Sequence, residues 1–397
     1  MKLFRKALFW LHLGAGVAAG LVIILLASTG TILAFQRQII SWSDASAVHD
    51  GRPNAGASLS LDAALKQLVQ QDQNTPTELV LRRSSYSPLE AKYGRERTVL
   101  LNPWTGVPIV SSSTSLREFF AWVVRLHRSL GLGLQSQMGR GIIGAANLTF
   151  LFLFLSGIYL WIPKTINSSA FKSRLLLVRG LKGNARDWNW HHVFGIWAIL
   201  PLAFIVATGV LISYPWATNL LYRVTNSPIP SVGGNGDGKP AQSNAGGNSL
   251  DKHAAHAALD THGFDLWAEA AKRQIPEWKS ITFSIPQTRD KTVTVAVDTS
   301  IGGQPEKITS LVIDRSSNAI VATKRFSDNS LGRRLRTWAV YVHTGAEFGL
   351  IGQILIAFGA LSAIFMVWTG YALTARRLFG NRKRAENRQE EVEAVFA

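Results

Sequence analysis

Four stretches of this chain are long, apolar and free of acidic or basic residues away from their edges: Trp10 to Phe35, Gly139 to Ile162, Trp188 to Tyr214 and Phe348 to Leu373. A helix needs roughly 20 apolar residues, at about 1.5 Å of rise each, to cross a bilayer. All four are long enough, so a membrane α-helical protein is expected, with Pro201 kinking the third span. The first run is too long for a signal-peptide core and lacks a small-residue cleavage site after it. It reads as a retained helix.

Basic residues set the expected orientation. Lys2, Arg5 and Lys6 precede the first span. The loop between the second and third carries Lys164, Lys172, Arg174, Arg179, Lys182 and Arg186 against one acid, Asp187, and Arg376, Arg377, Arg382, Lys383 and Arg384 follow the fourth. Both termini and this loop are therefore expected in the cytoplasm, and the two long connections outside it. The net charge of +17 then reflects topology and attraction to anionic lipid rather than nucleic acid. The absence of cysteine excludes disulfides, thiolate haem ligation, c-type haem attachment and cysteine-held iron–sulfur clusters.

The chain repeats itself. Trp10–Leu11–His12 is followed, seventeen residues after the histidine, by Thr29–Gly30, and Trp190–His191 is followed at the same interval by Thr208–Gly209. Trp122 to His127 matches Trp338 to His343, and the next apolar runs end in Ser156–Gly157–Ile158–Tyr159 and Thr369–Gly370–Tyr371. The expected organisation is span 1 (1–35), outer domain 1 (36–116), an outer amphipathic segment with span 2 (117–163), a basic loop (164–187), span 3 (188–215), a linker with outer domain 2 (216–335), an outer segment with span 4 (336–375), and a basic tail (376–397). This is a four-helix transmembrane bundle built by internal duplication. An axis along the membrane normal should relate the halves.

Each outer domain reads as α+β. In the first, Leu61 to Val69 has helical periodicity, and Glu78 to Arg82, Thr98 to Leu101 and Val107 to Val110 read as strands, with a turn at Asn102–Pro103–Trp104–Thr105–Gly106. In the second, Phe264 to Arg273 is expected to be helical. Ser280 to Ile285, Lys291 to Asp298, Ser310 to Ile313 and Ala319 to Thr323 are the expected strands, with the turn at Asp314 to Asn318. Val232 to Asn248 has the composition of a flexible linker.

A two-fold axis through such a bundle brings His12 to His191 near the cytoplasmic face and His127 to His343 near the outer face. Two imidazoles across an apolar gap are what axial ligation of a b-type haem requires. Two haems are expected, separated by about 25 Å of helix between His12 and Thr29. Gly14, Gly16, Gly20, Gly131 and Gly195 near these histidines would leave room for a macrocycle, or simply allow close helix packing. His192 has no counterpart, since Leu13 holds its place; it is an alternative ligand or a propionate contact. His49, His253, His256 and His262 read as solvated.

The chain resembles the PepSY-associated transmembrane helix family over nearly its full length. The residues that carry the resemblance are Leu126–His127–Arg128–Ser129–Leu130, Ser156 to Trp161, His191 to Gly195, His343–Thr344–Gly345 with Phe348–Gly349, and Asn102 to Gly106. The resemblance implies two periplasmic PepSY-like domains on an inner-membrane helical core. It also implies, as in some members, a haem-dependent reductase that releases iron from ferric siderophores. The Asp314 to Asn318 turn departs from the Pro–x–Thr–Gly form of the first.

On this reading the partners are a ferric siderophore or other ferric chelate, the lipid bilayer and a separate electron donor. No Gly-x-Gly-x-x-Gly follows a strand, and the cytoplasmic segments are too short for a nucleotide-binding domain. The donor is thus a flavoprotein, a small reductant or membrane quinol. Arg125, Arg128, Arg333, Arg334 and Arg336 would attract acidic chelates, anchor in headgroups, or pair with haem propionates. The alternative is a non-enzymatic, membrane-anchored regulator of peptidases or of assembly, because PepSY-type modules are associated with peptidase inhibition. A transporter lacks support, since no span carries an internal charge.

Overall fold

The computed structural model describes residues 2–49, 59–72, 74–84, 87–94, 97–109, 112–163, 167–230 and 261–396. Val110, the 232–248 stretch, His253 and His256 lie outside them, as does the side chain of His49. In chain order the elements begin with α1 (Lys2–Ala34), α2 (Gln36–His49), α3 (Leu61–Gln71), β1 (Glu78–Arg82), β2 (Leu89–Tyr93), β3 (Arg97–Leu101), α4 (Ser112–Ser129) and α5 (Gln137–Trp161). Next come α6 (Ser168–Leu175), α7 (Gly183–Trp197), α8 (Ile199–Ser213), α9 (Pro215–Val224) and α10 (Phe264–Gln274). The chain ends with β4 (Ser280–Ser284), β5 (Thr292–Asp298), β6 (Ile308–Asp314), β7 (Ile320–Arg325), α11 (Leu331–His343) and α12 (Gly349–Phe396). They divide into two units. A helical unit holds Met1–Ala34, Trp122–Thr218 and Val342–Ala397; a sheet unit holds Phe35–Ala121 and Asn219–Tyr341.

In the helical unit, three helices are long and apolar enough to cross a membrane: Leu3–Ala34, Gln137–Trp161 and Ala346–Phe379. The expected third span is not one continuous helix. It breaks at Ala198 into α7 and α8, which meet at 70°, and the pair counts as a fourth candidate if it is one span. Pro201 supplies the reason. It has no N–H to donate to the carbonyl four residues earlier, at Trp197, and its ring crowds that carbonyl. The bend falls where that bond is missing.

α1 packs on α5 and α12, and α8 packs on the same two helices. Side chains satisfy the helix ends. Arg5 donates to the carbonyls of Leu160 and Ile162 at 2.8 and 2.7 Å, meeting the orphan acceptors and negative dipole end of α5. Buried Gln353 donates to Ala34 O at 2.7 Å, closing the end of α1 onto α12. Asp187, the one acid of the basic loop, is buried and pairs with Arg186 at 2.9 Å and Arg376 at 2.5 Å. Asn189 ties the loop to α7: its Nδ2 donates to Ser173 O and Leu176 O, and its Oδ1 accepts from Val178 N.

The two outer segments, expected as separate α+β domains, contribute to a single seven-stranded antiparallel sheet of order β3-β2-β1-β4-β5-β6-β7. The first strands of the two segments, β1 and β4, pair with Val80 opposite Thr282. One apolar core runs under both segments. Leu61, Leu65 and Leu68 of α3 and Phe264, Trp267 and Ala271 of α10 pack with Leu79, Leu101, Phe283, Val295 and Ile313 of the sheet. β2 is an addition to the sequence reading; its Glu90 and Lys92 obscure the strand pattern. The expected strand from Val107 is reduced to a bridge between Leu101 and Pro108.

The divergent second turn keeps the geometry of the first. Asn102 Oδ1 accepts from Trp104 N and Thr105 N at 2.9 and 3.2 Å. Asp314 Oδ1 accepts from Ser316 N and Ser317 N at 3.1 and 2.9 Å. Gly106 and Asn318, four residues after each, both have positive φ (71° and 57°), a region Asn enters more readily than other side chains.

The N-termini of α3 and α10 cap each other. Asp62 accepts from Gly263 N at 3.0 Å and Phe264 N at 2.7 Å. Asp265 accepts from Leu61 N at 2.9 Å and Asp62 N at 3.2 Å. Each carboxylate satisfies two orphan N–H groups of the opposite helix and lies at its positive dipole end. Asp62→Ala and Asp265→Ala should each cost about 1–3 kcal/mol, the range for a charged hydrogen-bond partner. Amide hydrogen exchange is the check, and the Asp62 variant should deprotect Phe264.

Glu90 gives a second prediction. It is buried in β2, with Arg82 donating to Oε1 at 2.9 Å from Nε and 2.8 Å from Nη2. Burial opposes its ionisation, but Arg82, Arg117 and Lys92 outweigh burial and hold the carboxyl below the ordinary value of 4.5. A folded pKa below the unfolded one gives stability that is complete above the unfolded value and lost as pH falls through the folded one. The thermal midpoint of the sheet unit should therefore drop below about pH 4, and Glu90→Gln should flatten that drop while lowering the midpoint at pH 7.

Candidate functional site

The four histidines are held by one repeated contact. His12 Nδ1 lies 2.7 Å from Ser156 Oγ, His127 Nδ1 2.8 Å from Thr29 Oγ1, His191 Nδ1 3.0 Å from Thr369 Oγ1, and His343 Nδ1 2.9 Å from Thr208 Oγ1. The sequence marked these hydroxyl residues only as span ends. The histidine spacing carried the signal, but nothing in it said which hydroxyl met which ring. Each contact joins two elements of one half of the chain: α1 to α5, α4 to α1, α7 to α12 and α11 to α8.

The direction of these bonds follows from counting hydrogens. A hydroxyl has one proton to give. Thr29 Oγ1 gives it to Leu25 O at 2.7 Å, Ser156 Oγ to Phe152 O at 2.6 Å, Thr369 Oγ1 to Phe365 O at 2.8 Å, and Thr208 Oγ1 to Phe204 O. Each hydroxyl is left to accept from its imidazole. On this count all four rings donate from Nδ1–H, and among the described residues no hydrogen bond is made at Nε2, the atom a neutral ring of this tautomer would offer to a metal.

A glycine follows each hydroxyl residue, and the ring edge rests on it. A Cβ on Gly30 would lie 3.5 Å from His127 Cε1, on Gly157 3.5 Å from His12 Cε1, on Gly209 3.7 Å from His343 Cε1, and on Gly370 3.8 Å from His191 Cε1. These four glycines, named in the sequence only as part of the repeated motifs, leave ordinary van der Waals room beside the histidine rings. Gly20 receives Tyr371, Gly195 lies 3.3 Å from Met366 Cε by the same measure, and Gly131 occupies a turn at φ 76°.

His127 and His343 lie close, with ring centres 6.4 Å apart and planes at 58°, and His12 lies within electrostatic range of His191. Two metal–nitrogen bonds of about 2 Å, plus roughly 1 Å from each nitrogen to its ring centre, span about 6 Å. The separation of His127 and His343 is therefore compatible with one metal ion held by both rings. Among the described residues, no cluster of three or more His, Asp or Glu forms an alternative metal site.

His192 is placed differently. Its Nδ1 donates to Trp188 O at 2.8 Å, and its ring stacks on Trp188 at 4.1 Å. It shares none of the hydroxyl–glycine contact that holds His191. Arginines sit over aromatic rings near the His12 and His191 ends: Arg377 over Trp10 at 5.0 Å, Arg186 over Trp190 at 5.2 Å and Arg174 over Trp188 at 5.0 Å. Arg128 lies within electrostatic range of His127. In the sheet unit, Arg334 lies over Phe326 at 5.9 Å and Arg336 beside Tyr222, so these two engage neighbours of their own unit.

The turns after the outer histidines are clamped to the following helices. A Cβ on Gly139 would overlap the carbonyl of Ser129, and one on Gly352 would overlap the carbonyl of Gly345. Both carbonyls lie two residues after a histidine of the outer pair.

The model of the PepSY-associated TM region matches residues 9–377. No curated protein matches significantly.

Gly139→Ala and Gly352→Ala should each cost about 1–3 kcal/mol, as overpacking does. They should also raise amide exchange across the turn after His127 or His343. Gly30→Ala, which adds only an ordinary van der Waals contact, should leave both measurements near wild type.

Proposed function

We propose that this chain, which belongs to the PepSY-associated TM family, is an inner-membrane electron-transfer protein. It holds two b-type haems and reduces ferric chelates, of which ferric siderophores are the expected class, in the periplasm. The observation that supports this reading is the fourfold contact that engages Nδ1 and leaves Nε2 available on each of the four histidines, two of which, His127 and His343, lie with ring centres 6.4 Å apart. His12 and His191 would hold the cytoplasmic-side group, and His127 and His343 the periplasmic-side one. Haem, when bound, supplies reversible one-electron chemistry at each face.

The chain's own contribution is orientation and shielding. The hydroxyls fix the ring tautomers, the glycines let the rings lie against helix backbone, and the apolar helices keep water away. On this reading the core is a four-helix bundle formed by duplication, with α7 and α8 as one bent span. Both termini lie in the cytoplasm, and segments 36–116 and 216–335 are periplasmic. Reduction is sufficient for release because siderophore oxygen donors hold Fe(III) tightly and Fe(II) far less well. The electron donor is a separate flavoprotein, small reductant or quinol.

The purified full-length protein should show low-spin b-type reduced-minus-oxidised spectra with about two haems per chain. Without oxygen, a ferric siderophore should reoxidise the reduced protein while an Fe(II) chelator traps the product. His343→Ala should lose or convert only the outer haem, and His191→Ala only the inner one, with His192→Ala milder. Full retention of both low-spin haems in a folded His191→Ala protein would overturn the ligand assignment. A reduced spectrum unchanged by a panel of ferric siderophores would overturn the substrate class.

A further inference from the structure

We propose that Thr29, Ser156, Thr208 and Thr369 are positioning residues that set the donor strength of the four histidines, and through it haem affinity and reduction potential. The inference rests on the haem reading above. The four side chains are buried, at 5, 4, 4 and 1 % exposure. Water does not replace the acceptor in such a place, so the imidazole N–H depends on the protein for a partner.

The physical effect has a sign. An oxygen accepting from Nδ1–H draws the proton toward itself and leaves the ring richer in electrons. A richer ring is a stronger ligand and favours Fe(III) over Fe(II). Removing the acceptor weakens the ligand and raises the potential. Thr→Val puts a methyl group where the hydroxyl was, so it keeps the packing and loses this effect. Ser→Ala also removes the oxygen's volume, so Ser→Cys beside it separates tuning from space-filling.

The contacts are not equal, and this makes the inference specific within the inner pair. His191 Nδ1 has a second acceptor, Met366 O at 3.0 Å, beside Thr369. His12 Nδ1 is assigned to Ser156 Oγ, at 2.7 Å. Ser156→Ala therefore strands the N–H of His12, whereas Thr369→Val leaves His191 with the Met366 carbonyl. The Ser156 change should have the larger effect although both residues serve the same centre.

The test uses the purified full-length protein with haem titration and spectroelectrochemistry. In Ser156→Ala, inner-site haem affinity should fall about 10–100-fold and the inner potential should rise, each tenfold loss of preference for the ferric form reading as about 59 mV. Thr369→Val should shift the potential the same way but less. Ser156→Thr should restore wild-type values, and the outer haem should not move in any of the three. Ser156→Cys, which keeps the shape and offers only a weak sulfur acceptor, covers a Ser156→Ala protein that does not fold and should shift both readings the same way. Thr208→Val should shift the outer centre little, because His343 also has the Ile205 carbonyl. Wild-type affinity and potential in Ser156→Ala would overturn the inference and leave the haem reading intact. Equal losses in Ser156→Ala and Ser156→Thr would reduce the contact to packing and overturn it too. Wild-type protein without haem would refute the proposed function and this inference together.

Discussion

The hydrogen bond from an imidazole N–H to a hydroxyl already committed to its own helix is the constraint on which the helical unit depends. It needs three things at once. The hydroxyl must donate to the carbonyl one turn back, the ring must find room beside the glycine that follows it, and the histidine must approach from another helix. Ser156–Gly157 with His12 and Thr208–Gly209 with His343 meet all three. Because successive helical residues point about 100° apart, a helix rotated by one position would lose both the hydroxyl and the glycine. These contacts therefore fix helix rotation as well as ring tautomer. In a membrane, where lipid tails offer no hydrophobic drive for helix association, small residues and polar contacts of this kind provide much of the specificity.

The sheet unit solves a different problem with similar economy. The first segment brings three strands and one helix to the sheet unit, and the second four strands and one helix that packs under them. Antiparallel pairing of β1 with β4 joins them edge to edge, and Asp62 and Asp265 exchange caps between the two helices. The pairing is self-complementary in the manner of a two-fold interface. It removes two edge strands that would otherwise expose unpaired backbone groups. The apolar core is then continuous from Leu61 to Ile313 rather than divided.

Much of this was legible before any coordinates. The three unbroken spans, both outer helices and most strands followed from periodicity, because long apolar runs and alternating strands have few other solutions. β2 was missed because Glu90 belongs to a buried ion-pair network, which makes an inward position look like a surface one. The bend at Ala198 was placed only approximately, since Pro201 acts on the carbonyl four residues before it. The glycines beside the rings are not those nearest the histidines in sequence. Gly30, which the His127 ring rests on, lies 97 positions before it in the chain, and no local pattern reports such a distance.

The sequence by itself determined that the chain is a membrane-type helical protein, and it offered four histidines at matched positions of a repeat. Hydropathy, basic bias and repetition are properties of the chain that need no partner to be read. Only the tertiary structure decided which hydroxyl holds which histidine, that Nδ1 is the engaged ring nitrogen, and that the two α+β segments make one sheet. Those features depend on the rotation of packed helices and on the register of β1 against β4. Both are set by contacts between residues far apart in sequence, such as His191 with Thr369 and Val80 opposite Thr282. A local pattern can offer such residues, but only packing selects among them.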